Sequence, residues 1–234
     1  MLLNILGAVG LMATLLVMSS TLAQSLKLSL AGRVVLLVVM GGWAGLQVAL
    51  ATGGVLAERL GPAPLIGIMA AIPMVATGLV ALTSRRARAA LLGIPTETIV
   101  ALNIGRLMGV TFVLLAAVGR MGGPFPYSAG WGDIITGADA VLLTILMMRG
   151  RVSVGAVALW NTFGTLDLVV ALALGGITFG TGLGGLLAAA PGGNEIASLP
   201  SALIPTVLVP MYMILHGVVF AQLRGRTIQA ASPA

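Results

Sequence analysis

The chain has 234 residues, 59% apolar and 8% charged, with a net charge of +6 and a mean hydropathy of +1.12. A water-soluble domain carries about 25% charged residues, so soluble enzyme classes are excluded and the chain reads as an integral membrane protein. It has no cysteine, which removes disulfides, thiolate metal sites, cysteine nucleophiles and dithiol redox chemistry. Its basic residues sit in short connectors between apolar runs, so no nucleic-acid partner is expected.

A bilayer core about 30 Å thick takes about 20 apolar residues per helix. Seven segments reach that length: 2–23, 34–52, 64–84, 96–119, 126–148, 153–176 and 201–223. The expected fold is all-α, a polytopic transmembrane helix bundle of about seven spans forming one transmembrane domain over 1–234. Segment 2–23 ends near Thr21 and Ala23, small residues such as a signal-peptide cleavage site uses, but Met1-Leu2-Leu3-Asn4 lacks a basic region. It is therefore expected as a retained helix. Lys27, Arg33, Arg85, Arg86, Arg88, Arg149, Arg151, Arg224 and Arg226 fall in alternate connectors and the tail, and the other connectors hold only Arg59 and Arg120. The positive-inside rule then predicts the N-terminus outside and the C-terminus in the cytoplasm.

An ionisable side chain at the bilayer centre costs on the order of 2.5 to 3.5 kcal/mol, so those present usually face the bundle interior. The first three spans have none, and residues 1–93 are expected to act as an apolar scaffold for polar-site helices and a tail over 94–234. In the fourth span Asn103 and Arg106 lie three apart, Thr96 extends their stripe, and Gly105 and Gly109 form a G-x-x-x-G that admits a close neighbour. Asp133, Thr136 and Asp139 in the fifth cover an arc of about 120°, so the two carboxylates need not share a partner. The sixth carries Trp160 and Asp167 seven apart, beside Asn161 and Thr165. Between the sixth and seventh, Gly180, Gly182 and Gly185 spell G-x-G-x-x-G, read as a glycine-rich loop because no βαβ unit surrounds it. In the seventh, Pro205 and Pro210 free the carbonyls of Ser201 and Thr206, ahead of Tyr212 and His216.

One guanidinium neutralises one carboxylate, so the remaining Asp residues require a proton, a charged His216, a bound cation or contact with water. The plainer alternative is that Arg106 pairs with Asp133 or Asp167 to fix helix packing, with His216 bonded to Tyr212 or a carbonyl. No serine triad or zinc motif is present, and neither a cofactor nor a metal is expected. Gly130-Trp131-Gly132-Asp133 resembles the G-x-G-D signature of presenilin-type and prepilin-peptidase-type intramembrane aspartyl proteases, with Asp167 as second carboxylate. In those families the partner Asp precedes this helix, and no Pro-Ala-Leu occurs here. Only under that alternative are Asp133 and Asp167 catalytic.

A broader pattern runs through 94–220. It comprises Arg106-x-x-Gly109-x-x-Phe112, Ala129-Gly130-x-Gly132-Asp133-Ile134-x-x-Gly137, Trp160-Asn161-x-x-Gly164-x-x-Asp167-Leu168, and Leu203-Ile204-Pro205-Thr206 with Val209-Pro210 and His216. It resembles an uncharacterised family of bacterial multi-pass membrane proteins. The resemblance implies a bacterial inner-membrane location and one shared constellation of Arg106, Asp133, Asn161, Asp167 and His216, and it lends no activity. The expected site is Asn103, Arg106, Asp133, Asp139, Trp160, Asn161, Asp167, Tyr212 and His216. Its expected use is proton-linked transport or binding of a small molecule or ion, with Arg106 as anion anchor or counter-ion and Asp133 or Asp167 as proton carrier. An accessory subunit of a larger membrane complex is the other non-enzymatic expectation. Lipid is the constant partner, a small molecule or cation the candidate ligand, and a second copy or a complex subunit the candidate protein partner.

Overall fold

A computed structural model describes residues 2–60, 63–179 and 193–231. The long helices are α1 (Leu2–Ser25), α2 (Leu30–Thr52), α3 (Leu65–Thr83), α7 (Phe125–Met148), α8 (Val154–Phe179) and α10 (Val209–Ala231). The short ones are α4 (Arg85–Leu92), α5 (Thr96–Leu102), α6 (Val110–Ala117) and α9 (Gly193–Ala197). A two-residue antiparallel ladder, β1 (Arg59–Leu60) with β2 (Ala63–Pro64), closes the connector before α3. Among the described residues, seven helical stretches are long and apolar enough to cross a membrane. The chain is thus an all-helical, multi-pass integral membrane protein, as its composition requires. The Gly180 to Gly185 loop lies outside the described residues.

Ser29 and Ser84 cap α2 and α4, their hydroxyls accepting the Gly32 and Ala87 amides at 3.2 Å each. The cap on α4 marks a short basic helix carrying Arg85, Arg86 and Arg88, where the sequence reading had only a charged connector. The early spans are peripheral: α2 exposes Val34, Val35, Val38 and Val39, whereas Leu215, His216 and Val219 of α10 are buried.

The fourth span is not a continuous α-helix. Asn103–Gly109 between α5 and α6 is a 3₁₀ segment, and α7 packs on it backbone to backbone. A Cβ on Gly130 would lie 2.9 Å from the Gly109 carbonyl oxygen, and one on Gly137 would lie 2.8 Å from the Leu107 nitrogen. In a 3₁₀ helix residues three apart eclipse one another, so Asn103, Arg106 and Gly109 align toward one side. This also separates the two glycines of the G-x-x-x-G: Gly109 meets α7, while Gly105 meets Tyr212 and Thr14. That motif is consumed inside the bundle and is not free to dock another chain.

The seventh span opens with a π-helical turn, Ile204–Leu208, which absorbs the two prolines. The Ser201 carbonyl accepts from the Ile204 amide at 3.0 Å. The Thr206 carbonyl, left without its donor by Pro210, accepts the Trp43 indole N–H of α2 at 2.9 Å. The demand made by the prolines is therefore met partly from the supposed scaffold. Two polar clamps tie the ends. Arg120 pairs with Glu195 of α9 at 2.8 Å and donates to Asn4 of α1 at 2.7 Å. Gln222 of α10 donates to the Leu92 and Ile94 carbonyls and accepts from Thr96. Thr96 thus belongs to this clamp and not to the polar stripe of Arg106.

Candidate functional site

Arg106 is the organising residue. Its guanidinium, wholly enclosed, donates from Nε to Asp133 Oδ1 at 2.7 Å, from Nη2 to Asp167 Oδ2, and from Nη1 to the Gly164 carbonyl at 3.0 Å and His216 Nε2 at 3.2 Å. One planar fork thus reaches α7, α8 and α10 from the 3₁₀ segment. Arginine suits this role because its five donors point in fixed directions within one plane.

Hydrogen-bond chemistry sets the state of His216. The guanidinium has no acceptor, so Nε2 must be the unprotonated acceptor of the Nη1 bond. Asn161 donates its amide to the His216 carbonyl at 3.1 Å, which turns Asn161 Oδ1 toward the ring, 2.8 Å from Nδ1. The Nδ1–H donates to it, and the imidazole is neutral. Trp160 leans on this ring, centroids 5.2 Å apart, and anchors through its indole N–H on the Thr136 carbonyl at 3.1 Å. His216 is not bonded to Tyr212; of the two partners in the packing alternative it has a carbonyl, the side-chain one of Asn161. The Tyr212 ring instead lies beneath the Arg106 guanidinium, 5.9 Å from centroid to Cζ.

Glycines make the crowding possible. A Cβ on Gly132 would overlap the Asp167 carboxylate, one on Gly164 would lie 2.7 Å from the His216 ring, and one on Gly109 would overlap Asp133. Gly130-x-Gly132-Asp133 is therefore explained as packing: Gly130 admits the 3₁₀ backbone and Gly132 admits Asp167.

Of the nine expected site residues, Arg106, Asp133, Trp160, Asn161, Asp167, Tyr212 and His216 come together. Asn103 is adjacent and buried, but its amide donates to the Ile99 carbonyl at 2.9 Å and its Oδ1 has no hydrogen-bond partner among the described residues. Asp139 does not join them. It lies exposed on the outward face of α7, in line with Ile135 and Leu142, because six residues of helix turn it away from the Asp133 face. Sequence reasoning missed Trp43 and Gln47. Gln47 is fully buried in α2 with both amide atoms lacking a partner among the described residues; as neutral residues they fell outside a search for charge.

A cavity of about 340 Å³ adjoins the cluster, walled by α3, α6, α7, α8, α9 and the π turn. Its lining is apolar, including Ile66, Phe112, Phe125 and Leu168, except for Asp133 and Glu58. The cavity thus crosses the boundary drawn between scaffold and polar half, since α3 supplies one wall. A second space of about 20 Å³, the size of one water molecule, is bordered by Arg106, Asp133 and Tyr212. The buried Tyr212 hydroxyl has no protein partner among the described residues. Asp133 borders both spaces. Its Oδ1 is held by Arg106, its Oδ2 has no protein partner among the described residues, and its side chain retains 14% exposure.

A family model described as a domain of unknown function, DUF8737, matches residues 63–224. This range includes every residue of the cluster. Comparison with curated proteins and with solved structures gives no match.

Proposed function

The chain belongs to the DUF8737 family, whose description carries no activity, and from the site we propose a proton-linked binding protein or transporter for a small molecule or ion. The observation that carries it is the apolar cavity lined by Asp133, a carboxylate of the cluster whose Oδ2 has no protein partner among the described residues. One guanidinium, two carboxylates and a neutral imidazole leave the cluster one negative charge in excess. In an apolar interior that excess must be met by a proton or a ligand charge. Asp133 is the proton carrier, and Arg106 is its counter-ion and not an anion anchor, since its donors are already engaged with protein acceptors. Asp167 holds the guanidinium in place. The chain sits, under this proposal, in a bacterial cytoplasmic membrane with the N-terminus outside.

Proteoliposomes loaded with a pH-sensitive dye test it. Small ammonium, carboxylate and neutral solutes are added in turn, and at least one should drive proton movement that Asp133→Asn and Asp167→Asn each reduce. Unchanged proton flux in both variants would refute the proposal. An aspartyl hydrolase is not proposed: its two carboxyls share a proton, whereas here Arg106 donates to both.

Asp139 favours a second reading, as a subunit of a larger membrane complex. A carboxylate turned outward in mid-span is costly in lipid, and a neighbouring membrane helix would relieve it. Crosslinking from an Asp139→Cys variant that captured nothing in its native membrane would count against this reading.

A further inference from the structure

We propose that the cavity takes a hydrophobic organic cation, seated with its charge on Asp133 Oδ2 in one-for-one exchange with a proton; this rests on the proton-linked reading of the same site. Among the described residues, two charged ones border the cavity, Asp133 and Glu58, and both are acidic. The cation beside Asp133, Arg106, is committed to Asp133, Asp167, the Gly164 carbonyl and His216. Among the described residues, an anionic ligand would therefore meet carboxylate and no free donor charge, whereas a cationic one meets the excess negative charge of the cluster.

The walls specify the rest of the ligand. Phe112 and Phe125 both line the cavity and pack edge to face, centroids 5.3 Å apart at 71°. Aromatic rings beside a carboxylate form a recurrent surface for quaternary or aryl-substituted cations. Ile66, Ala70 and Leu168 complete an apolar enclosure that favours a ligand with a hydrophobic body over a hydrated metal ion. A volume of about 340 Å³ lies at the small end of the range of roughly 300 to 1,000 Å³ typical of small-molecule sites. The exchange balances: protonated Asp133 releases its proton to water as the cation enters, and the carboxylate so formed is the counter-ion of the ligand. Oδ2 holds one or the other, which makes the two occupancies exclusive and supplies the coupling.

The test uses the full chain in detergent with radiolabelled tetraphenylphosphonium, and the isosteric anion tetraphenylborate as control. The proposal expects saturable binding of the cation, binding of the anion weaker by at least about tenfold, and one proton released per cation bound in weakly buffered solution. Asp133→Asn should weaken the cation by about thirtyfold or more, the scale on which one partner of a buried charge pair is lost. Ala71→Phe, which fills the cavity from α3 and leaves every charge in place, should abolish binding and keeps the test decisive where Asp133→Asn fails to fold. Equal binding of cation and anion, or wild-type affinity in Ala71→Phe, overturns the ligand class. If tetraphenylphosphonium fails to bind while Asp133-dependent proton movement persists in proteoliposomes, the ligand class falls and the proton-linked function stands. If it binds without releasing a proton, the exchange falls.

Discussion

Removing Arg106 should cost more than any other single truncation in the chain. Arg106→Met keeps the length and apolar stem of the side chain but deletes the donors to four acceptors, two of them carboxylates. Breaking a buried ion pair from one side costs about 3–5 kcal/mol because the remaining charge is stranded, and here two carboxyl groups lose their common donor at once. Against a total stability of about 5–15 kcal/mol, Arg106→Met should leave the fold marginal. The triple variant Arg106→Met/Asp133→Asn/Asp167→Asn removes the stranded charges with their partner and should recover more than about 2 kcal/mol of the loss. Arg106→Lys should fall between, since an ammonium has three donors and no planar fork for the four acceptors. Unfolding of the purified protein by SDS titration in mixed micelles measures each difference. A loss below about 1 kcal/mol for Arg106→Met, or a triple variant no more stable than the single, would refute the account of Arg106 as the hub of a buried network.

Trp43→Phe should cost about 1–3 kcal/mol by leaving the Thr206 carbonyl without a donor. Pro210→Ala restores a backbone N–H to that carbonyl, so the double variant should be more stable than the sum of the two singles, as a double-mutant cycle would reveal. His216 is the only histidine in the chain, so ring-nitrogen NMR of the histidine-labelled protein reports it alone. A protonated Nδ1 with an acceptor Nε2 is expected, and an Nε2–H tautomer or an imidazolium would contradict the bond from Arg106. Gly132→Ala drives a methyl into the Asp167 carboxylate and should cost at least the 1–3 kcal/mol typical of overpacking. Gly45→Ala in α2, with nothing within 4 Å, should stay within about 0.5 kcal/mol in the same unfolding assay.

The spans were legible because lipid imposes one rule on every residue: about 20 apolar positions in a row can only be a crossing helix. For the same reason the rare charges were legible as a site, and Arg106, Asp133, Asp167 and His216 do meet. Helical spacing was a weaker guide. It spread Asp133 and Asp139 over an arc wide enough for two partners and placed both in the site, whereas the packing of α7 on the 3₁₀ segment turns Asp133 inward and Asp139 out. The G-x-x-x-G was legible as admitting a close neighbour, but not that the 3₁₀ geometry of Asn103–Gly109 sends its two glycines to different ones.

By itself, then, the sequence determined the solvent of this protein, the number of its crossings and the short list of polar residues that lipid would otherwise have expelled. Hydrophobic transfer is local and additive, so it can be read residue by residue. The tertiary structure alone decided that one guanidinium serves two carboxylates and a neutral histidine, that Trp43 repairs the break made by Pro210, and that a cavity walled partly by α3 ends on Asp133. These depend on which backbones approach closely enough for a side chain to span them. Glycines at Gly109, Gly130, Gly132 and Gly164 permit that approach, but a glycine carries no side chain to say which neighbour it admits.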